Sequence, residues 1–92
     1  MALISKIREK VRNGEFEFAI PHFFEEMAND DLVFSDIEQA VMTGRIRRRF
    51  ASEPRGLRFE VVGRASDGRK VAIICRMKET GKLLFITTYL VG

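Results

Sequence analysis

The feature that most constrains this chain is a change of apolar rhythm around Gly44. Before it, apolar residues recur every third or fourth position; from Arg45 onward they recur every second one. A helical period followed by a strand period, with short turns between the strands, specifies an α+β domain whose helices pack on one sheet face. Leu3, Ile4, Ile7 and Val11 predict an amphipathic helix over 2–13, with Gly14 just past its end. Phe16 and Phe18 alternate with Glu15 and Glu17 and read as a short extended piece. Pro21 opens a second helix running to about Asn29, and Ser35-Asp36-Ile37-Glu38 reads as the capping box of a third that Gly44 closes.

In the second part, Ile46, Arg48 and Phe50 fall on one face of a strand, with Arg47 and Arg49 on the other. Pro54-Arg55-Gly56 turns the chain into a strand with Leu57, Phe59 and Val61 on one face. Asp67-Gly68 predicts a hairpin, the apolar run from Val71 to Met77 a mid-sheet strand, and Thr80-Gly81 a turn into Leu83–Val91. The expected architecture is two to three N-terminal helices packed on a four-stranded antiparallel β-meander. With 92 residues there is material for one core, so 1–92 is expected to be a single domain. Its parts are an additional helix (1–14), an acidic helical part (15–44) and a basic sheet (45–91).

Charge follows the same division. Residues 15–44 carry eight carboxylates and no lysine or arginine, whereas residues 45–92 carry twelve basic groups against four acidic ones. Fields of this kind either steer a charged ligand or neutralise each other inside the fold, and the sequence leaves both open. No apolar run approaches the roughly 18 residues of a membrane helix, and the first residues lack a signal peptide's apolar stretch. A soluble cytoplasmic protein with no membrane partner is expected. One cysteine and one histidine leave no internal disulfide and no structural zinc set. Neither GxGxxG nor a P-loop occurs, and Glu25-Glu26 and Asp30-Asp31 point to different sides of a helix, so neither cofactor nor metal is expected.

Four groups of residues invite a chemical reading. His22 is the only imidazole, and Glu25 three residues on can share its helix face to fix its tautomer; the alternative is a histidine that packs against Phe18 or is solvated. Arg45, Arg47, Arg48 and Arg49 are the densest basic cluster, able to grip successive phosphates or to neutralise the acidic helices. Arg55 and Arg58 extend it, and Tyr89 offers a phenol or a stacking surface if it is not core. Cys75, inside Val71-Ala72-Ile73-Ile74-Cys75, reads as a buried, inert thiol.

His22-Phe23-Phe24-Glu25 with Met27, Ser35–Val41 with Gly44-Arg45-Ile46, Pro54–Phe59, Asp67-Gly68-Arg69 and Ile86-Thr87-Thr88-Tyr89 together carry a resemblance. Over roughly residues 16–91 the chain resembles the bacterial domain-of-unknown-function family 4258, which looks related to the RelE, barnase and colicin-type RNase toxins. The resemblance implies helices against a four-stranded antiparallel sheet and metal-independent RNA cleavage. It implies His22 with Glu25 for proton transfer, Arg58 for the charged transition state and Tyr89 as a second donor. Arg45, Arg47, Arg48, Arg49 and Arg55 would then position the RNA backbone.

Two departures bear on activity. Glu26 and Leu90 stand where the family often has arginine. They favour the competing expectation of a catalytically degenerate module of the same fold that binds RNA or a protein such as an antitoxin. The absence of lysine and arginine from 15–44 argues against a helix that reads duplex DNA. Self-pairing through the edge strand at Arg45–Phe50 or at Leu83–Val91 leaves the oligomeric state open.

Overall fold

The computed structural model describes residues 2–50 and 56–92. Its elements are α1 (Leu3–Arg12), β1 (Phe16–Phe18), α2 (His22–Asn29), α3 (Phe34–Thr43), β2 (Arg45–Phe50), β3 (Arg58–Arg64), β4 (Lys70–Met77) and β5 (Leu83–Leu90). The α+β class and the three helices follow the apolar periods. Ile7 and Val11 of α1, Phe23 and Met27 of α2, and Ile37, Ala40 and Val41 of α3 are buried at helical spacing. They meet Phe59, Val61, Val71, Ile73, Cys75, Leu83 and Phe85, the alternate residues of β3, β4 and β5. Burial pushes the Cys75 thiol up to about 12, as an inert core cysteine requires.

The sheet differs from a four-stranded meander. It has five strands in the order β1-β5-β4-β3-β2, and β1 runs parallel to β5 while every other pair is antiparallel. The piece at Phe16–Phe18 is therefore a true edge strand, and it covers the side of β5 that would otherwise have been open for self-pairing. Phe16 and Phe18 are anchored by ring contacts: Phe16 stacks on Phe34 with centroids 5.1 Å apart, and Phe18 lies 5.3 Å from Phe23 and 5.7 Å from Phe85.

The start of α3 also differs from the expectation. The helix begins at Phe34, and the Val33 N–H, not that of Ser35, donates to Asp36 Oδ2 at 3.0 Å. Asp36 is nearly buried there and also lies 3.7 Å from the Arg69 guanidinium, so it serves as cap and ion-pair partner together.

Two arginines tie the layers. Arg8 of α1 donates from Nη2 to Gly44 O at 2.7 Å and from Nε to Val41 O at 3.2 Å, satisfying the open carbonyls at the end of α3. Arg69, at the β3–β4 hairpin, donates to Asp30 O at 2.8 Å, Asp31 O at 3.2 Å and Asp67 Oδ2 at 2.7 Å. Part of the basic charge thus neutralises the acidic helical half, through Arg69 and through Lys78, which lies 2.9 Å from Glu17.

Candidate functional site

All three helices cover one side of the sheet, because Phe59, Val61, Val71 and Ile73 point that way. Their neighbours Arg58, Glu60, Val62, Ala72, Ile74 and Arg76 face the other side, which no helix of the described residues covers. On a bare sheet face an acidic residue should be hydrated. Glu60 instead has no exposed side-chain surface, so its charge must be met by protein groups.

Four contacts do this. Arg47 Nε donates to Glu60 Oε1 at 2.5 Å, Arg48 donates from Nη2 to Oε2 at 2.9 Å and from Nε to Oε1 at 3.3 Å, and the Tyr89 hydroxyl donates to Oε2. Arg47 Nη2 closes the ring by donating to the Tyr89 hydroxyl at 3.3 Å. Two consecutive strand residues reach one carboxylate because β2 is irregular at this point. Ile46 pairs with Val61 and Arg48 with Glu60, leaving Arg47 as an extra residue in a bulge.

The bulge overturns the simple alternation over 45–50. Ile46 packs toward the helices, while Arg48 and Phe50 turn to the open face with Arg47, and Arg49, opposite Phe59, turns to the helical side. Arg48 then stands over the Phe50 ring at 5.5 Å. Arg47 and Arg48 of the basic cluster neutralise a carboxylate of their own sheet, not the acidic helices, and keep their outer edges in water: the Arg47 side chain is 39% exposed and that of Arg48 57%.

The expected catalytic group His22, Glu25, Arg58 and Tyr89 is not assembled. His22 and Glu25 lie on α2, on the helical side, whereas Arg58 and Tyr89 face the open side, with the thickness of the sheet between them. His22 is half exposed, and its Nε2 lies 3.5 Å from Glu26 Oε1, one turn on, while Glu25 is exposed. Glu26, not Glu25, is thus the carboxylate near the histidine. Arg58 sits opposite Phe50 and Arg76, two residues before Glu60. Arg55 and the Pro54 turn lie outside the described residues.

Glu60 itself was absent from the expected site. Its signal in the sequence is a single carboxylate between the core residues Phe59 and Val61, in a stretch otherwise rich in arginine. Burial pushes its carboxyl up, but the hydrogen bonds from Arg48, Arg47 and Tyr89 outweigh this and hold it at about 2. The same hydrogen bonds raise both guanidinium groups above their ordinary value.

A pH dependence follows. Between about 2 and its ordinary 4.5, Glu60 is ionised in the folded chain and protonated in the unfolded one. The cluster's contribution of about 3 kcal/mol is therefore complete above pH 4.5 and drains away as pH falls toward 2. The gap in urea stability between the native protein and Glu60→Gln should shrink by this amount across that window; a gap that does not change with pH would mean that the arginines do not hold Glu60 in solution.

The profile of the family described as a domain of unknown function, DUF4258, matches residues 21–90. The chain belongs to the DUF4258 family. No curated protein and no solved structure matches it. Both the Glu60 cluster and the whole open face except β1 fall within the DUF4258 span, while α1 and β1 precede it.

Proposed function

We propose that this DUF4258 domain binds the phosphate backbone of single-stranded RNA on its open sheet face. The observation that carries this reading is the pair Arg47 and Arg48, fixed side by side by Glu60 with their outer guanidinium edges in water. A guanidinium already held in one rotamer loses little entropy when a phosphate oxygen takes its free N–H groups. Phe50 and Tyr89 flank the pair on the same face and supply rings on which unpaired bases stack. The carboxylates of α2 and α3 lie on the other side of the sheet and favour approach of the same polyanion to the open face. The likeness to RNase toxins supports the choice of RNA as ligand.

Cleavage is the second reading, and one observation favours it. A carboxylate, a phenol and two guanidinium groups in mutual hydrogen bonding comprise an acceptor, a donor and the cations that metal-independent phosphodiester cleavage needs. Against it, a carboxyl held at about 2 is a poor base at neutral pH. Incubation of the protein with a labelled single-stranded RNA in EDTA separates the two. Binding without cleavage is the expected result, weakened about tenfold in Arg48→Ala. Cleavage that disappears in Glu60→Gln would replace the binding reading, and binding unchanged in Arg48→Ala would remove the open face from either.

A further inference from the structure

Beside the Glu60 cluster, where the sheet passes the end of α3, lies a cavity of about 410 Å³ lined by Thr43, Arg45, Arg47, Val62, Gly63, Arg64 and Lys70. Its volume is that of a small-molecule site, which runs from roughly 300 to 1,000 Å³. Four of its lining side chains are cationic and none is acidic. Arg64 and Lys70 are directly opposed across β3 and β4, an arrangement of like charges that costs stability wherever no anion lies between them. Among the described residues Arg45 and Lys70 have no ion-pair partner, and both are exposed.

The helix end that borders the cavity does not cancel this charge. The C-terminal carbonyls of Val41 and Gly44 are occupied by Arg8, and Thr43 Oγ1 is engaged with the Arg64 backbone, accepting its N–H at 3.0 Å. The cavity is therefore a recess of unneutralised positive charge continuous with Arg47 on the open face. A phosphodiester carries one negative charge, whereas a phosphomonoester carries about −1.5 to −2 near neutral pH and three terminal oxygens. Only the latter makes full use of Arg45, Arg64 and Lys70, of which Arg64 also donates from Nη1 to Gly68 O at 2.9 Å.

We infer that this cavity binds a phosphomonoester, either the terminal phosphate of an RNA strand or that of a free nucleotide, held by Arg45, Arg64 and Lys70 with Arg47 at its rim. For the strand end, the inference rests on RNA binding by the open face. The selective element is the extra charge of a terminal phosphate, so strands that end in hydroxyl groups bind by the face alone.

The test compares one single-stranded oligoribonucleotide carrying a phosphate at the 5′ end, at the 3′ end or at neither, alongside a nucleoside 5′-monophosphate. One phosphorylated form should bind about tenfold more tightly than the hydroxyl-ended strand. That advantage should vanish in Lys70→Met, which keeps its apolar stem, while the hydroxyl-ended strand binds nearly as before. Equal binding of all three strands would overturn the pocket and leave the open face standing. If no strand binds, the open-face reading fails, and the nucleotide decides the pocket by itself. Movement of the Gly63 and Arg64 amide resonances that is lost in Lys70→Met upholds it, and no movement overturns it.

Discussion

Glu60→Gln should weaken both the fold and RNA binding. The carboxylate accepts three hydrogen bonds from Arg47 and Arg48 and one from Tyr89 with no side-chain surface in water. Removing its charge leaves two guanidinium groups facing each other across a neutral amide, at a cost of about 3 kcal/mol near neutral pH and almost none near pH 2. The same change releases both arginines from their fixed rotamers, and the entropy of holding them on a phosphate outweighs the one positive charge that the face gains. Affinity for single-stranded RNA should fall severalfold. Chemical unfolding and fluorescence anisotropy on one preparation check both halves. A stability loss with tighter RNA binding would mean that net charge, not the fixing of Arg47 and Arg48 by Glu60, governs the ligand site, and a stability gain would mean that the cluster is strained.

The second large effect is expected at Gly63. A side chain there would place its first carbon 1.9 Å from Ala40 O, 2.7 Å from the Ala40 carbonyl carbon and 2.9 Å from Gly44 Cα, all of them backbone atoms. None of these can rotate away, so Gly63→Ala must lift α3 off β3 and open the core beneath Ile37 and Val41. A cost of about 3 kcal/mol or more corresponds to a fall in Tm of about 12 °C or more in a domain of this size. Calorimetry measures it directly; a Tm within about 3 °C of the native value would show that α3 does not sit so close to the sheet.

Local pattern made much of the fold legible. Ile7 with Val11, Phe23 with Met27 and Ile37 with Val41 announce helices, and the strands β3 to β5 lie where alternation and the turns at Asp67-Gly68 and Thr80-Gly81 put them. The parallel pairing of Phe16–Phe18 with Leu83–Phe85 was not legible, because three residues carry too little period and their partners are almost seventy positions away. The capping residue of α3 was misplaced for a different reason. Val33 has no polar side chain, and it is Asp36 reaching back to the Val33 N–H that starts the helix.

The site was legible in composition but not in geometry. Arginines at 45, 47 and 48 and Tyr89 were visible as candidates, and the structure brings Arg47, Arg48 and Tyr89 together around Glu60. What the sequence hid is the bulge at Arg47, which breaks the two-residue period and sends consecutive arginines to one face while Arg49 goes to the other. His22 and Glu25 drew notice as a chemical pair, yet helix and sheet side were not fixed by their spacing, and the fold puts them behind the sheet.

The most direct test of RNA binding by the open face is the salt dependence of single-stranded RNA affinity for the native protein and for the Arg47→Ala, Arg48→Ala double variant. The log–log slope should be shallower in the double variant by about 0.7 for each phosphate contact removed, with weaker binding at every salt concentration. Identical slopes and affinities would contradict the assignment of this face to RNA.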